Sequence, residues 1–107
     1  MLPVITLSPS NQASGIGGTV RFSCQSAGDP TPTVTWYKST VKVQSDSRHS
    51  ILSNNTLVIS NAIQSDQGWF VCRSKNDAGT VEAKAYLLIT GNALCINCDI
   101  VGNIVGL

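Results

Sequence analysis

Two cysteines that lie far apart in the chain limit most strongly what this sequence can fold into. Cys24 and Cys72 are 48 positions apart, which matches no metal-ligand spacing. Each lies in a segment of alternating apolar and polar residues, at positions 19–26 and 69–74. In a chain of 107 residues with few charges, such a pair indicates a disulfide and an oxidising compartment.

Short segments of period-two alternation, separated by turn residues, predict an all-β fold. The segments are 19–26, 33–38, 57–60, 69–74 and 81–90, and the turn clusters are 8–11, 15–18, 28–30, 53–55 and 76–79. This spacing favours a β-sandwich in which one face of each strand is buried. Residues 62–67 allow a single helical turn. We predict that Trp36, Leu57 and Phe70 lie in the core with the two cysteines.

The composition excludes several classes of protein. Hydrophobic residues make up 42% and charged residues 12%, so the chain is not a charged, disordered tail. The formal net charge of +1 gives no indication of nucleic-acid binding or of binding to anionic lipid. No apolar run approaches the roughly 20 residues that cross a bilayer, and the first residues lack a secretory signal. We interpret the chain as a piece of a longer secreted protein, or of one anchored to the membrane through a part not present here.

Several motifs resemble the intermediate (I-set) class of immunoglobulin domains. Trp36 follows Cys24 by about a dozen positions, and the stretch at 65–72, Ser-Asp-Gln-Gly-Trp-Phe-Val-Cys, ends on the second cysteine. Stretches 18–24, 28–38, 56–59 and 76–79 match the same pattern. The resemblance implies that residues 1–90 form an immunoglobulin-like Greek-key β-sandwich. Its two antiparallel sheets are joined by the Cys24–Cys72 disulfide, with Trp36 packed against the bridge.

Within this superfamily the chain is similar to modules of roundabout-type axon-guidance receptors, hemicentin and peroxidasin. The similarity implies an extracellular, protein-binding module in cell-surface recognition, adhesion or matrix assembly. Its partner would be a neighbouring module, a second copy or a receptor ligand. The alternative is a structural spacer, including an intracellular titin-like module of a muscle giant protein, although the cysteine pair argues against a reducing compartment.

The chain departs from the family at the position two residues before Cys72. The family usually has tyrosine there, and its hydroxyl bonds to backbone near the preceding turn. This chain has Phe70, which fills the core and lacks the hydroxyl.

Strand alternation also predicts a cluster of large side chains on one outer face. Because Trp36, Phe70 and Cys72 point inward, their neighbours point outward. The outward residues on these strands and on the last strand are Tyr37, Trp69, Arg73, Tyr86 and Leu88. Tyrosine, tryptophan and arginine are enriched at interface hot spots, whereas isolated apolar surface residues are common on any protein. Three aromatic residues on one face favour a protein-binding surface.

Three further features carry specific expectations. Asn54, Asn55 and Thr56 form an N-glycosylation sequon in a predicted turn, which makes Asn54 a candidate glycosylation site. Arg48 and Asp66 are a candidate ion pair at one end of the sandwich. The single histidine, His49, is expected to be exposed.

Residues 91–107 match nothing in the family and contain a CxxC motif, Cys95 to Cys98. This motif occurs in thiol-disulfide sites and in zinc sites. The thioredoxin-like context is missing, and His49 is the only histidine. We interpret the segment as a disordered tail with exposed thiols, as a truncation or gene-model artefact, or as the start of something not present here.

No motif in the sequence indicates catalysis. His49 is remote from any nucleophile motif, there is no phosphate-binding loop, and the carboxylates are scattered along the chain. We therefore predict that the protein is not an enzyme and uses no cofactor, no metal and no small-molecule substrate.

Overall fold

The computed structural model describes residues 1–90, which form short strands and one turn of 3-10 helix. The strands, in chain order, are β1 (Val4–Leu7), β2 (Gln12–Gly15), β3 (Val20–Phe22), β4 (Gln25–Ala27), β5 (Thr33–Lys38), β6 (Val41–Lys42), β7 (His49–Ile51), β8 (Leu57–Ile59), β9 (Gly68–Asn76) and β10 (Gly79–Thr90). The 3-10 turn, Gln64–Asp66, lies between β8 and β9. Residues 91–107, with Cys95 and Cys98, lie outside the described part of the chain.

The strands form the two layers of a sandwich. One layer is a five-stranded sheet in the order β2-β10-β9-β5-β6, in which β2 runs parallel to β10 and the other pairs are antiparallel. The other layer consists of the sheet β3-β8-β7 and the pair β1-β4. β9 and β10 pair along their whole shared length, from Asn76 opposite Gly79 to Gly68 opposite Leu87. This long hairpin gives the five-stranded sheet its rigid centre.

The predicted strand at residues 19–26 is present but interrupted. It forms two strands, β3 and β4, with Ser23 and Cys24 between them. β3 pairs with β8 as far as Phe22 opposite Leu57, and β4 then pairs with β1. The break therefore marks the point where the chain changes its hydrogen-bonding partner.

Alternation did not predict the edge strands β1, β2 and β6. β2 has the sequence Gln-Ala-Ser-Gly, and both residues of β6 are exposed. Neither β2 nor β6 has a fully buried face that would leave an apolar signal in the sequence. Their strand conformation comes from backbone pairing with β10 and β5.

The core lies between the two layers and contains the predicted residues. Phe22 stacks on Phe70 with ring centroids 5.2 Å apart and packs against Trp36 at 6.1 Å. Trp36, Leu57 and Phe70 are fully buried. The Cys24–Cys72 disulfide joins the two layers, with its Cα atoms 6.5 Å apart. Trp36 lies directly opposite Cys72 in the pairing of β5 with β9, so its indole lies beside the bridge.

Arg48 and Asp66 form a two-bond ion pair at one end of the sandwich. Arg48 Nη1 donates to Asp66 Oδ2 at 2.8 Å, and Nη2 donates to Oδ1 at 3.1 Å. The Asp66 side chain is only 6% exposed, and its Oδ2 also accepts from the backbone N–H of Ile63 at 2.9 Å. Burial raises the pKa of Asp66, but the hydrogen bonds from Arg48 and Ile63 outweigh it and hold the pKa below its usual value.

The expectation that His49 is exposed was wrong. Its side chain is 17% exposed, because the ring lies between Asp46 and Asp66. His49 Nδ1 is 2.9 Å from Asp46 Oδ1, which also accepts the backbone N–H groups of Arg48 and His49. The side-chain hydrogen bond with His49, together with these two backbone bonds, lowers the pKa of Asp46 to about 2.

Replacing Phe70 with tyrosine is expected to raise the free energy of unfolding by about 1 kcal/mol. Phe70 is fully buried near the start of β9, which begins two residues after the 3-10 turn, and we expect a hydroxyl there to bond to backbone of that turn. Urea midpoints of Phe70→Tyr and the wild type measure the difference. An unchanged or lower midpoint would contradict the prediction and show that these backbone groups are already paired, as Ser65 O is by Lys38 Nζ at 2.7 Å.

Candidate protein-binding face

The outer side of the five-stranded sheet has two neighbouring groups of aromatic and charged side chains. They come from three adjacent strands, because β5 and β10 pair with opposite edges of β9. The pairing aligns Thr35, Arg73 and Glu82 in one row, and Tyr37, Val71 and Lys84 in the next. We call the following set the aromatic face: Tyr37, Trp69, Arg73, Glu82, Lys84 and Tyr86.

The first group is centred on Trp69. Tyr86 lies directly opposite Trp69 in the β9–β10 pairing, and the two rings meet edge to face with centroids 5.1 Å apart. Lys84 Nζ lies over the indole, 5.3 Å from its centroid. Trp69 is nonetheless 45% exposed. The contacts with Tyr86 and Lys84 therefore hold a large apolar surface in a fixed orientation toward solvent.

The second group is centred on Arg73. Its guanidinium lies over the ring of Tyr37, with Cζ 4.5 Å from the centroid, and Nη1 donates to the Tyr37 hydroxyl at 3.4 Å. Arg73 Nε also donates to Glu82 Oε2 at 2.7 Å. This hydrogen bond raises the pKa of Arg73 above its usual value. The arginine is therefore fixed from both sides, by a ring on β5 and a carboxylate on β10.

Leu88 lies at the margin of the aromatic face rather than within either group. It is exposed and lies two residues after Tyr86 on β10. The pairing of β9 with β10 ends at Gly68, and Leu88 instead faces Ala13 of β2. Leu88 thus extends the apolar surface toward the β2 edge.

Sequence reasoning missed Lys75, which lies on the same side of β9 as Arg73. The spacing of two residues between them is the signal that identifies it. Lys75 lines a shallow polar groove with Thr33, Thr35, Tyr37, Arg73 and Asp77. Together with Lys84 and with Lys42, which lies opposite Tyr37, this side of the sheet has four cations beside the anions Glu82 and Asp77. Such a mixed surface is unlike the dense cationic patch that binds nucleic acid.

The family model of the immunoglobulin I-set domain matches residues 3–89. The chain belongs to the immunoglobulin I-set family. This assignment agrees with the sandwich, the inter-sheet disulfide and the buried Trp36 opposite Cys72. It also confirms the resemblance inferred from the motifs. Domains of this family are found in adhesion and structural proteins, and the I-set domain itself is not an enzyme.

Curated relatives of this I-set domain include the three protein types that its motifs resemble. It is 34% identical to human hemicentin-1 over 87 residues, which cover 81% of this chain and 2% of that protein. It is 34% identical to human roundabout homolog 1 over 96 residues, which cover 82% of this chain and 6% of that protein. Human peroxidasin homolog is 35% identical over 88 residues, which cover 82% of this chain and 6% of that protein. The I-set domain therefore matches only a small part of each relative.

Solved structures similar to this domain come from two kinds of protein. Extracellular domains 3–5 of Drosophila OTK match with a TM-score of 0.81 and 30% identity, over 84% of this chain and 32% of that one. A titin complex with obscurin-like 1 matches with a TM-score of 0.81 and 25% identity, over 87% of this chain and 98% of that one. The same fold thus occurs in extracellular domains and in titin.

Residues 1–90 contain neither a membrane-spanning helix nor a metal-binding cluster. This part of the chain contains no helix with the length and apolar character to cross a membrane. It also contains no group of three or more histidine, cysteine, aspartate or glutamate residues placed to hold a metal ion.

Proposed function

We propose that this I-set domain is an extracellular module of a cell-surface receptor or of an adhesion or matrix protein, and that it binds a protein partner through the aromatic face. The observation that carries the proposal is Trp69, which is 45% exposed while Tyr86 and Lys84 fix its ring. Tryptophan, tyrosine and arginine, which meet on this face, are the residues most enriched at binding hot spots.

The fixed geometry favours binding because it lowers the entropy lost on association. Each side chain that must be immobilised costs about 0.5–1.5 kcal/mol of binding free energy. On this face Trp69 is already held by Tyr86, and Arg73 is already held by Tyr37 and Glu82. Part of the ordering cost is therefore met within the free domain, and the mixed charges favour a protein partner over nucleic acid.

Two observations support an extracellular location. The Cys24–Cys72 disulfide is typical of proteins that fold in an oxidising compartment. The relatives include vascular endothelial growth factor receptor 1 from rat, and the similar structures include domains of OTK named as extracellular. Axon guidance is a more specific setting, which we propose from the similarity to roundabout homolog 1.

Replacing Trp69 with alanine is expected to weaken binding at least tenfold while lowering the free energy of unfolding by about 1 kcal/mol or less. Because Trp69 is half exposed, the variant loses the edge-to-face contact with Tyr86 but leaves no core cavity. Binding to a cell-surface partner is measured by staining cultured cells with the multimerised domain. Self-association is measured by sedimentation, and stability is measured by thermal unfolding.

Ile16→Ala is the matched control, because Ile16 is an exposed apolar residue in the turn between β2 and β3, away from the aromatic face. It should leave both forms of binding unchanged. Loss of self-association in Trp69→Ala would identify a second copy as the partner, and loss of cell binding alone would identify a different protein. Unfolding of Trp69→Ala would contradict the outward orientation, since a buried tryptophan costs about 3–5 kcal/mol on truncation.

The second candidate function is a structural spacer, which the structural match to titin favours. A spacer needs the sandwich and the disulfide but not the aromatic face. If Trp69→Ala changes neither self-association nor cell binding, the face is ordinary surface and the spacer function is preferred.

A further inference from the structure

Asn54 starts the only Asn-X-Ser/Thr sequon in the 107 residues. It lies in the turn between β7 and β8 and is exposed. Its Oδ1 accepts the backbone N–H of Thr56 at 3.1 Å. Its side-chain hydrogen bond uses the oxygen Oδ1, and within residues 1–90 the amide nitrogen Nδ2 donates to no other group.

The folded turn, however, holds the sequon tightly. Trp36 Nε1 donates to Asn55 O at 2.8 Å, which ties the turn to the core. Two backbone bonds close it, from Leu52 N to Thr56 O and from Asn55 N to Leu52 O, both at 2.9 Å. Thr56 is only 8% exposed and precedes the fully buried Leu57. An enzyme that must contact both Asn54 and the Thr56 hydroxyl therefore meets an exposed asparagine but a mostly buried threonine in the folded domain.

We propose that Asn54 is an N-glycosylation site and that the glycan is added before this turn folds. The donor would be an oligosaccharide linked through pyrophosphate to a lipid. Asn54 Nδ2 forms a bond to the anomeric carbon of the sugar while the carbon–oxygen bond to the pyrophosphate breaks. The lipid pyrophosphate leaves with the electron pair, and the amide gives up one proton to a base. The proposal rests on the proposed extracellular location.

The position of Asn54 makes a glycan compatible with binding. β7 and β8 belong to the layer opposite the five-stranded sheet, whereas the aromatic face lies on the outer side of that sheet. A glycan at Asn54 would therefore be attached to the layer that does not carry Trp69. It also adds hydrophilic bulk beside Leu52, which is an exposed apolar residue of the same turn.

The test of the site is secretion of the full chain from mammalian cells behind an added signal peptide. Four proteins are compared: the wild type, Asn54→Gln, Thr56→Ser and Thr56→Val. The wild type and Thr56→Ser, which keeps the hydroxyl, should lose mass on treatment with an N-glycosidase. Asn54→Gln and Thr56→Val should not, although Thr56→Val keeps the shape of the buried side chain. A secreted, disulfide-bonded wild type with unmodified Asn54 would overturn the proposal.

The test of the order uses the unmodified chain produced in bacteria. The oxidised, folded form and the reduced, alkylated form are each incubated with oligosaccharyltransferase and the lipid-linked donor. The unfolded form should be modified at least tenfold faster, and equal rates would overturn the proposed order. The two proposals fail separately: an unmodified domain that still binds cells through Trp69 overturns only the glycosylation site. If Asn54 is modified but Trp69→Ala binds as well as the wild type, only the binding function is overturned.

Discussion

Replacing Cys24 and Cys72 together with alanine is expected to lower the free energy of unfolding by about 4 kcal/mol. The bridge closes a loop of 48 positions, and chain entropy in the unfolded state rises when that loop is opened. Urea unfolding of the wild type and the double variant measures the loss. A domain of this size has only about 5–15 kcal/mol of stability in total, so the double variant should be largely unfolded well below the melting temperature of the wild type.

The single variants Cys24→Ala and Cys72→Ala are the controls for this experiment. Each removes the bridge, so each should lose nearly as much stability as the double variant, and so should the wild type after reduction. Because Cys95 and Cys98 supply two further thiols, non-reducing peptide mapping first establishes which cysteines are bonded. Free thiols at positions 24 and 72 in the secreted protein would contradict the extracellular location. A loss below about 1 kcal/mol would show that the bridge adds little constraint.

Replacing Arg48 with methionine is expected to cost about 3 kcal/mol at neutral pH. The variant leaves the Asp66 carboxylate buried, with only the Ile63 N–H as a close hydrogen-bond partner and His49 Nε2 at 4.0 Å. The double variant Arg48→Met with Asp66→Leu should be less destabilised than the single variant, because it removes both charges from the site. Urea midpoints of the wild type, the single variant and the double variant give the comparison.

The effect of pH provides an independent test of the same ion pair. In the wild type the pKa of Asp66 is lowered from 3.8 by folding, so its contribution to stability is present above that value. It is lost as the pH falls through the lower pKa of the folded state. In Arg48→Met, burial without the arginine raises the pKa of Asp66, and protonation then relieves the cost. The difference in stability between the two proteins should therefore shrink between pH 7 and pH 3. A difference that does not change with pH, or a double variant no more stable than the single one, would contradict this account.

Removing Arg48 and neutralising Asp66 should lower the free energy of unfolding by unequal amounts. The Arg48 side chain is 27% exposed, whereas that of Asp66 is 6% exposed. An unpaired Arg48 can be hydrated, but an unpaired Asp66 cannot be hydrated to the same extent. Loss of the arginine should therefore cost more than conversion of Asp66 to asparagine, which keeps an oxygen to accept from Ile63 N–H.

The amino-acid sequence by itself determined the central part of the fold. Strands with a buried face leave a period-two pattern, which is why β5, β9 and β10 were predicted close to their observed bounds. The same alternation determined that Trp36 and Phe70 lie in the core and that Trp69 lies outside. Local turn chemistry determined the hairpin between β9 and β10, where only Asp77 and Ala78 separate the strands.

The tertiary structure alone decided which side chains meet, because register between strands that are distant in sequence sets their neighbours. The contact of Arg73 with Tyr37 depends on the alignment of β9 with β5, and its pairing with Glu82 depends on β10. The edge strand β2 has no apolar face and forms only because β10 supplies hydrogen-bonding partners. The His49 side chain is only 17% exposed, and folding places its Nε2 4.0 Å from Asp66, which is distant in the sequence. Alternation gives the side of the sheet on which a residue lies, but only long-range packing gives its contacts.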